Sequence, residues 1–381
     1  MPAMVIPIID LKEQYKQVQE EIEAAVLKVL RSGHYILGPE GRAMEEEMAD
    51  YLGSKYAVAV NSGTTALHLA LAAAGVGPGD EVITTPFTFI ATAEAISYLG
   101  AKPVFVDIDP ITYCIDPSKI EEKINSKTQA IIPVHLYGHA ADMYQIEEVA
   151  DKYDLAVIED CAQAISTEYN GKKVGTFGNF GCFSFFPTKN LGAAGEGGLI
   201  TTNDNDAYER LKALRIHGSI HRYQHEIIGY NARLNEIQCA VLRIKLRYLD
   251  GWAKKRQANA ARFNEQLSGL PVITPQTLSY SNHVYHQYAV QIKNTNNGAG
   301  QTTRDTVLSK MIENDILCAV HYPKPIHLQP AYKFLEYKEG SLPVSEEVAL
   351  KIMSLPVYPE LTEEQLETIT AVFKKALKEA S

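Results

Sequence analysis

Seven times between residues 55 and 202 the sequence returns to a short run of β-branched or otherwise apolar residues: KYAVAV (55–60), EVITT (81–85), PVFVDI (103–108), QAIIPV (129–134), LAVIED (155–160), CFSFF (182–186) and GLITT (198–202). A strand with one wet face alternates apolar with polar residues. Continuous apolar runs instead mark strands covered on both faces. Helical patterns such as TTALHLALAAAG (64–75) and PSKIEEKI (117–124) separate several of the runs, and strand–helix alternation specifies a mainly parallel sheet. No crossover helix fits between CFSFF and GLITT, which predicts at least one antiparallel strand there. The expected class is α/β, with a mainly parallel seven-stranded sheet flanked by helices.

Outside this region the rhythm changes. Tyr15, Val18, Ile22, Val26 and Val29 form one helical stripe that Gly33 can stop. A long helical pattern runs from Asn235 to about Leu267, ahead of Gly269 and Pro271. Beyond it lie a predicted strand, HQYAVQI (286–292), a polar loop, NTNNGAG (294–300), and further helices. The last helix starts at Thr362 with Gln365 as its capping-box partner and buries Leu366, Ile369, Phe373 and Leu377. A length of 381 residues suits two domains. We expect a large one over 1–250 and a smaller α+β one over 251–381.

The net charge of -10 argues against the phosphate attraction behind most nucleic-acid binding, and no basic cluster offsets it. Charged residues at Asp10 and Lys12 interrupt the N-terminal stretch before a signal-peptide core can form. No stretch approaches the ~20 apolar residues of a membrane span. Cys114, Cys161, Cys182, Cys239 and Cys318 are odd in number, scattered and without metal-ligand spacing, as reduced structural thiols would be. A cytoplasmic protein without nucleic-acid or membrane partners is expected, and no metal site.

Four features carry chemistry. In NSGTTALHLAL (61–71) a strand end passes through Gly63 into a helix. Such a turn is most often a simple helix cap, but its free N–H groups and dipole also suit a phosphate, with Ser62, Thr64 and Thr65 adding hydroxyls. In VIEDCAQA (157–164), Asp160 ends an apolar strand at the edge where open α/β sheets bind ligands. It can cap the next helix, or keep a pyridine nitrogen protonated and so make a cofactor ring an electron sink. In FSFFPTKNLGAAGEGG (183–198), Lys189 follows a strand and a proline and precedes Gly192, Gly195, Gly197 and Gly198. A lone lysine is ordinarily a solvated surface group. The glycines, Asp160 upstream and Ser184 as a phosphate donor favour an amine that forms an imine. In IIGYNARLNEIQCAVL (227–242), Asn231 and Arg233 precede an amphipathic helix, which composition alone leaves as a loop and a helix start.

Together with YILGPE (35–40), GDEVITTPFTFIATAEAI (79–96), PVHLYGHAADM (133–143) and HYPKPIHLQPAY (321–332), these stretches resemble the DegT/DnrJ/EryC1/StrS sugar aminotransferases, a branch of the fold-type I pyridoxal-phosphate enzymes. The matches follow the family's order along nearly the whole chain. The resemblance implies pyridoxal 5'-phosphate as cofactor, Lys189 as Schiff-base lysine and proton carrier, and Asp160 beneath the pyridine nitrogen. Gln163 would lie near the phenolic oxygen. Phe89 would stack on the ring, unless it is a core residue like its neighbour Phe87. Ser184, Gly63, Thr64 and Thr65 would hold the phosphate, and Asn231 would reach the phosphate of a neighbouring subunit, implying a homodimer with shared active sites. The expected reaction moves an amino group from L-glutamate to a keto sugar on UDP or dTDP, with Arg233, His321 and Lys324 as unassigned candidates for the diphosphate. The stretch around 225–250 looks more like members acting on 3-keto sugars than on 4-keto sugars; keto-cyclitols are a further acceptor class. Dehydratase relatives carry His in place of the lysine, so Lys189 argues against them. The acidic charge argues against a non-enzymatic transcriptional regulator.

Overall fold

The computed structural model describes residues 5–221, 223–293 and 302–380; the polar stretch 294–300 lies outside them. All seven apolar runs are strands of one sheet: β1 (Tyr56–Val60), β2 (Glu81–Thr84), β3 (Lys102–Phe105), β4 (Thr128–Ile132), β5 (Ala156–Asp160), β6 (Phe180–Ser184) and β7 (Gly198–Thr202). Their order is β1-β7-β6-β5-β4-β2-β3. Strands β2 to β6 pair in parallel. The antiparallel strand is β7, which inserts between β6 and β1 and runs against both.

The uninterrupted apolar runs have a direct cause. Alternate residues of one strand enter different cores: Ala57 and Ala59 one, Val58 and Val60 the other. The same division separates Ile131 from Ala130 and Ile132, and Phe183 from Cys182. Side chains on a strand alternate faces, so a sheet covered on both sides needs apolar residues at every position. Helices α2 (Pro39–Leu52), α5 (Met143–Tyr153), α7 (Glu236–Leu246) and α10 (Pro343–Lys351) contribute to the first core. Helices α3 (Gly63–Ala73), α4 (Ala91–Tyr98) and α6 (Asn205–Arg215) contribute to the second.

Three local expectations need correction. PSKIEEKI is not a continuous helix but two 3-10 turns, Pro117–Lys119 and Glu121–Lys123. Asp116 caps the first through the Ser118 N–H, and Ile124 is already extended. The helical stretch after Asn235 breaks at Arg247 and Tyr248 into α7 and α8 (Leu249–Gln266). On α1 (Leu11–Ser32), Tyr15 is exposed and Gln14 takes the buried place, because its carbonyl accepts a bond from Lys245 Nζ at 3.0 Å. Gly33 ends that helix with φ +68, a left-handed conformation open to glycine.

A smaller antiparallel sheet, β8 (Val272–Ile273), β9 (Tyr288–Ile292) and β10 (Ile352–Leu355), packs with α9 (Thr303–Glu313) and α11 (Glu363–Ala380) around a separate core. The capping box forms: Thr362 N–H donates to Gln365 Oε1 at 2.9 Å, and Gln365 N–H to Thr362 Oγ1 at 3.2 Å. Ile6 joins this core and forms a bridge with Ile316, so the start of the described chain is tied to its last third.

Buried Glu236, in the first turn of α7, accepts from Gly38 N at 2.8 Å, Gly41 N at 3.0 Å and Glu40 N at 2.8 Å. One carboxylate thus serves the start of α2 as well as its own helix, where both dipoles favour negative charge. A Cβ at Gly38 would lie 2.6 Å from Glu236 Oε2, so the close approach needs glycine. This contact joins the YILGPE stretch to GYNARLNEIQ.

Candidate active site

Strands β5 and β6 end side by side at Asp160 and Ser184, and α3 begins opposite them at Gly63. The site therefore lies at the C-terminal edge of the parallel strands. At Gly63 an added Cβ would sit 2.6 Å from Ser184 Cβ and 3.1 Å from its Oγ. Ser62 Oγ accepts from Thr65 N–H at 3.0 Å and donates to Thr65 Oγ1 at 2.9 Å, so the Thr65 N–H is spent on the cap while its hydroxyl can still donate. Among the described residues the N–H groups of Gly63 and Thr64 have no acceptor.

Asp160 is buried. Its Oδ2 accepts from Thr92 Oγ1 at 2.8 Å and its Oδ1 from Ala162 N at 3.1 Å. Burial pushes its carboxyl up, while the Thr92 hydroxyl, the Ala162 N–H and the charge of Lys189 pull the other way. Lys189 is half-buried, and burial lowers its ammonium to about 8 against the opposing pull of Asp160. No hydrogen bond or ion pair engages its Nζ among the described residues. A half-buried amine that no partner holds, and that gives up its proton above about pH 8 rather than in the ordinary lysine range, can act as a nucleophile.

The loop around Lys189 is pinned on both sides. Before it, the Lys189 N–H turns back to Phe186 O at 2.8 Å. After it, Asn190 is held to His286 Nδ1 at 3.2 Å, and Lys245 Nζ donates to Gly192 O at 2.8 Å. A Cβ at Gly192 would come within 2.2 Å of Pro187 O, which explains a glycine where a helix former would otherwise stand.

Gln163 Oε1 accepts from Tyr137 N at 2.8 Å, and its Nε2 donates to Tyr322 OH at 3.0 Å. Phe87 is fully buried in the core, whereas Phe89 is 56% exposed. Of the two rings Phe89 is the free one, 6.2 Å from the Tyr322 ring. His321 adjoins Tyr322, with burial and the Lys189 charge lowering its imidazole to about 4.

The remaining candidates lie around the α3 N-terminus or on the surface. Asn231 is exposed, receives a hydrogen bond from Arg233, and has its carbonyl 3.4 Å from Asn61 Nδ2. With Thr64 and Thr65 it lines a cavity of about 240 Å³ beside His68, on the far side of the α3 N-terminus. Lys324 is exposed. Sequence reasoning missed Thr92, Tyr322 and Glu236. Thr92 and Tyr322 stand inside motif stretches, but nothing in their local pattern marks them as partners of Asp160 or Gln163.

Behind Asp160, buried His135, Glu159 and Cys161 place ligand-type atoms within 4.8 Å of one another. The Glu159 oxygens are already taken by His135 Nε2 at 3.1 Å and by the N–H groups of Gly175, Phe177 and Gly178 at 2.7–2.9 Å. That cluster holds the loop before β6.

Residues 16–374 match the DegT/DnrJ/EryC1/StrS aminotransferase family. The chain is 47% identical over 369 residues to a pleiotropic regulatory protein of Geobacillus stearothermophilus, covering 96% of this chain and 97% of that one. It is 44% identical over 372 residues to the UDP-N-acetyl-3-dehydro-alpha-D-glucosamine 3-aminotransferase of Acidithiobacillus ferrooxidans, covering 98% of each. The crystal structure of Streptomyces venezuelae DesV in complex with a ketimine intermediate superposes with a TM-score of 0.93 at 42% identity, over 98% of this chain and 99% of that one.

Proposed function

This chain belongs to the DegT/DnrJ/EryC1/StrS aminotransferase family and is a transaminase, and on that premise we propose that it moves an amino group from glutamate to the 3-keto carbon of a sugar carried on UDP or dTDP. The observation that carries the reading is the unpartnered, half-buried Lys189 amine within the field of a buried Asp160. The Acidithiobacillus relative, named for a 3-dehydro sugar, supports the choice of carbon.

Pyridoxal 5'-phosphate is the cofactor of the family, and the donor set fits it. A Cβ at Gly63 would fill the space beside Ser184, and the N–H groups of Gly63 and Thr64 are open to a phosphate at a helix N-terminus. In our reading Ser184, Gly63 and Thr64 hold that phosphate. Thr65, whose hydroxyl still has its own proton to donate, joins them. When bound, the cofactor supplies an electrophilic aldehyde and an electron-withdrawing ring.

The chain's own residues do the rest. Asp160, as the anion, would accept a hydrogen bond from the ring nitrogen and so keep it protonated, and Thr92 holds the carboxylate in place. Lys189 Nζ, neutral above about pH 8, takes a proton from the amino-bearing carbon of the donor and returns one on the acceptor side. Gln163, held by Tyr137 and Tyr322, would lie toward the phenolic oxygen, and the exposed Phe89 would cover the ring.

We also propose a homodimer in which Asn231, exposed beside the start of α3, reaches the partner's phosphate site. No helix among the described residues is long and apolar enough to cross a membrane. Five free cysteines suit a reducing cytoplasm.

The test is a panel of UDP- and dTDP-linked 3-keto and 4-keto sugars with glutamate as donor. Turnover on a 3-keto member is expected. Turnover confined to 4-keto sugars or cyclitols would move the acceptor assignment. Gel filtration with light scattering, expected to give twice the chain mass, checks the dimer. A salt-titrated DNA-binding assay, expected to be negative, checks the regulator reading that the Geobacillus relative's name raises.

A further inference from the structure

Arg256, on α8, is 3% exposed and makes one hydrogen bond among the described residues, from Nη1 to Tyr285 O at 3.3 Å. A guanidinium carries five N–H donors and stays charged, so a buried one without an anionic partner is poorly satisfied. No carboxylate lies within ion-pair distance of it among the described residues; Glu360 acts on it only at longer range. Glu360 is itself held by Gln17 Nε2 at 3.1 Å.

Arg256 opens onto a cavity of about 180 Å³ that it shares with Thr188, His286, Gln287 and His321. Thr188 is the chain neighbour of Lys189. His286 feels the charges of both Lys189 and Arg256, and its ring is bonded to Asn190, the other chain neighbour of Lys189. The two imidazoles differ in what they offer. His286 Nδ1 donates to Asn190 Oδ1 at 3.2 Å, leaving Nε2 as an acceptor. His321 Nδ1 pairs with Ser354 Oγ at 3.1 Å, which turns Nε2 away from that hydroxyl. Size decides between ligands. A pocket for a drug-sized molecule runs to roughly 300–1,000 Å³, so this one is too small for a nucleotide sugar and admits a short carboxylic acid.

We propose that Arg256 is the carboxylate anchor of the amino donor, gripping one carboxylate of glutamate in a bidentate pair. The inference rests on the transaminase reading with glutamate as donor. The nucleotide sugar then enters from the open side by Phe89, and one amine at Lys189 serves two substrates recognised by different residues.

The test uses Arg256→Gln and Arg256→Lys as cofactor-loaded enzymes of normal circular dichroism. Glutarate, a dicarboxylate without an amine, is titrated by calorimetry. Glutamate alone is mixed with the yellow enzyme and its bleaching followed, and the aminated enzyme is then mixed with the keto sugar. Loss of a buried charge partner predicts glutarate and glutamate affinities about 30-fold or more weaker in Arg256→Gln. Arg256→Lys recovers part of that loss, and the apparent affinity for the sugar stays within about twofold of wild type. Wild-type glutarate affinity in a folded Arg256→Gln enzyme overturns the proposal, and so does an equal loss in both half-reactions. If Arg256→Gln does not fold, unchanged glutarate binding in Arg256→Lys overturns it, because a lysine cannot form the fork. The glutamate step needs no sugar, so a wild type that bleaches but accepts no keto sugar refutes the acceptor assignment and leaves this inference standing.

Discussion

Replacing Thr92 by valine removes one hydroxyl and leaves nearly the same shape. Asp160 accepts two hydrogen bonds, from Thr92 Oγ1 and from Ala162 N, so the change deletes one of two. A hydrogen bond to a charged group is worth about 1.5–3 kcal/mol, and a shift of one pH unit corresponds to about 1.36 kcal/mol. The bond favours the carboxylate over the acid, so its loss raises the proton affinity of Asp160 by about 1–2 units. Burial already pushes that carboxyl up, which leaves little reserve. Only the anion holds the ring-nitrogen proton, so the acid limb of kcat/KM for glutamate should move to higher pH by the same amount. Thr92→Ser, which restores a hydroxyl, should bring the limb most of the way back. Stopped-flow bleaching by glutamate across pH 5–9 reads this directly. An acid limb unmoved in Thr92→Val, in enzyme that still binds cofactor, would refute the role given to the Thr92–Asp160 bond.

Three further outcomes follow from the same geometry. In cofactor-free protein the Lys189 ammonium titrates near 8, and only the neutral amine attacks an aldehyde; capture of pyridoxal phosphate should rise with pH and level off above about 8, whereas a rise continuing toward the ~10.4 of an ordinary lysine contradicts it. Gly63→Ala places a Cβ 2.6 Å from Ser184 Cβ; overpacking of about 1–3 kcal/mol should weaken cofactor binding about tenfold or more in a fluorescence titration, and unchanged affinity would refute the cradle. Glu236→Gln leaves a single amide oxygen facing three N–H donors; about 3 kcal/mol of stability should be lost, read as a lower unfolding midpoint of the cofactor-free protein, and an unchanged midpoint would refute the clamp.

How much of this can be read from residues alone depends on the distance over which each feature is encoded. The strands of the large sheet are local: burial on both faces writes itself into every position of runs such as QAIIPV, and all seven are where the runs stand. The antiparallel β7 follows from a connection too short for a crossover. The break between α7 and α8 has no such mark, because Arg247 and Tyr248 are tolerable helix residues and packing decides. Gln14 displaces Tyr15 from the buried face of α1 only because Lys245, 231 residues on, needs an acceptor. At the site, Phe89 and Phe87 are indistinguishable as letters; the turn after β2 sends one into the core and leaves the other open. Arg256 sits in a helix rich in Lys and Arg, where nothing in the spacing separates a buried guanidinium from a solvated one.

The central claim is that one amine, Lys189, bonds covalently to the cofactor. Reduction of the yellow protein with borohydride, followed by proteolysis and mass spectrometry, tests it most directly. Lys245 is a built-in rival, since burial also lowers its ammonium to about 8. It is already spent, however, on Gln14 Oε1 and Gly192 O. The account predicts a phosphopyridoxyl adduct on Lys189 alone, absent in Lys189→Ala. An adduct on Lys245 or any other lysine, or one that persists in Lys189→Ala, would contradict it.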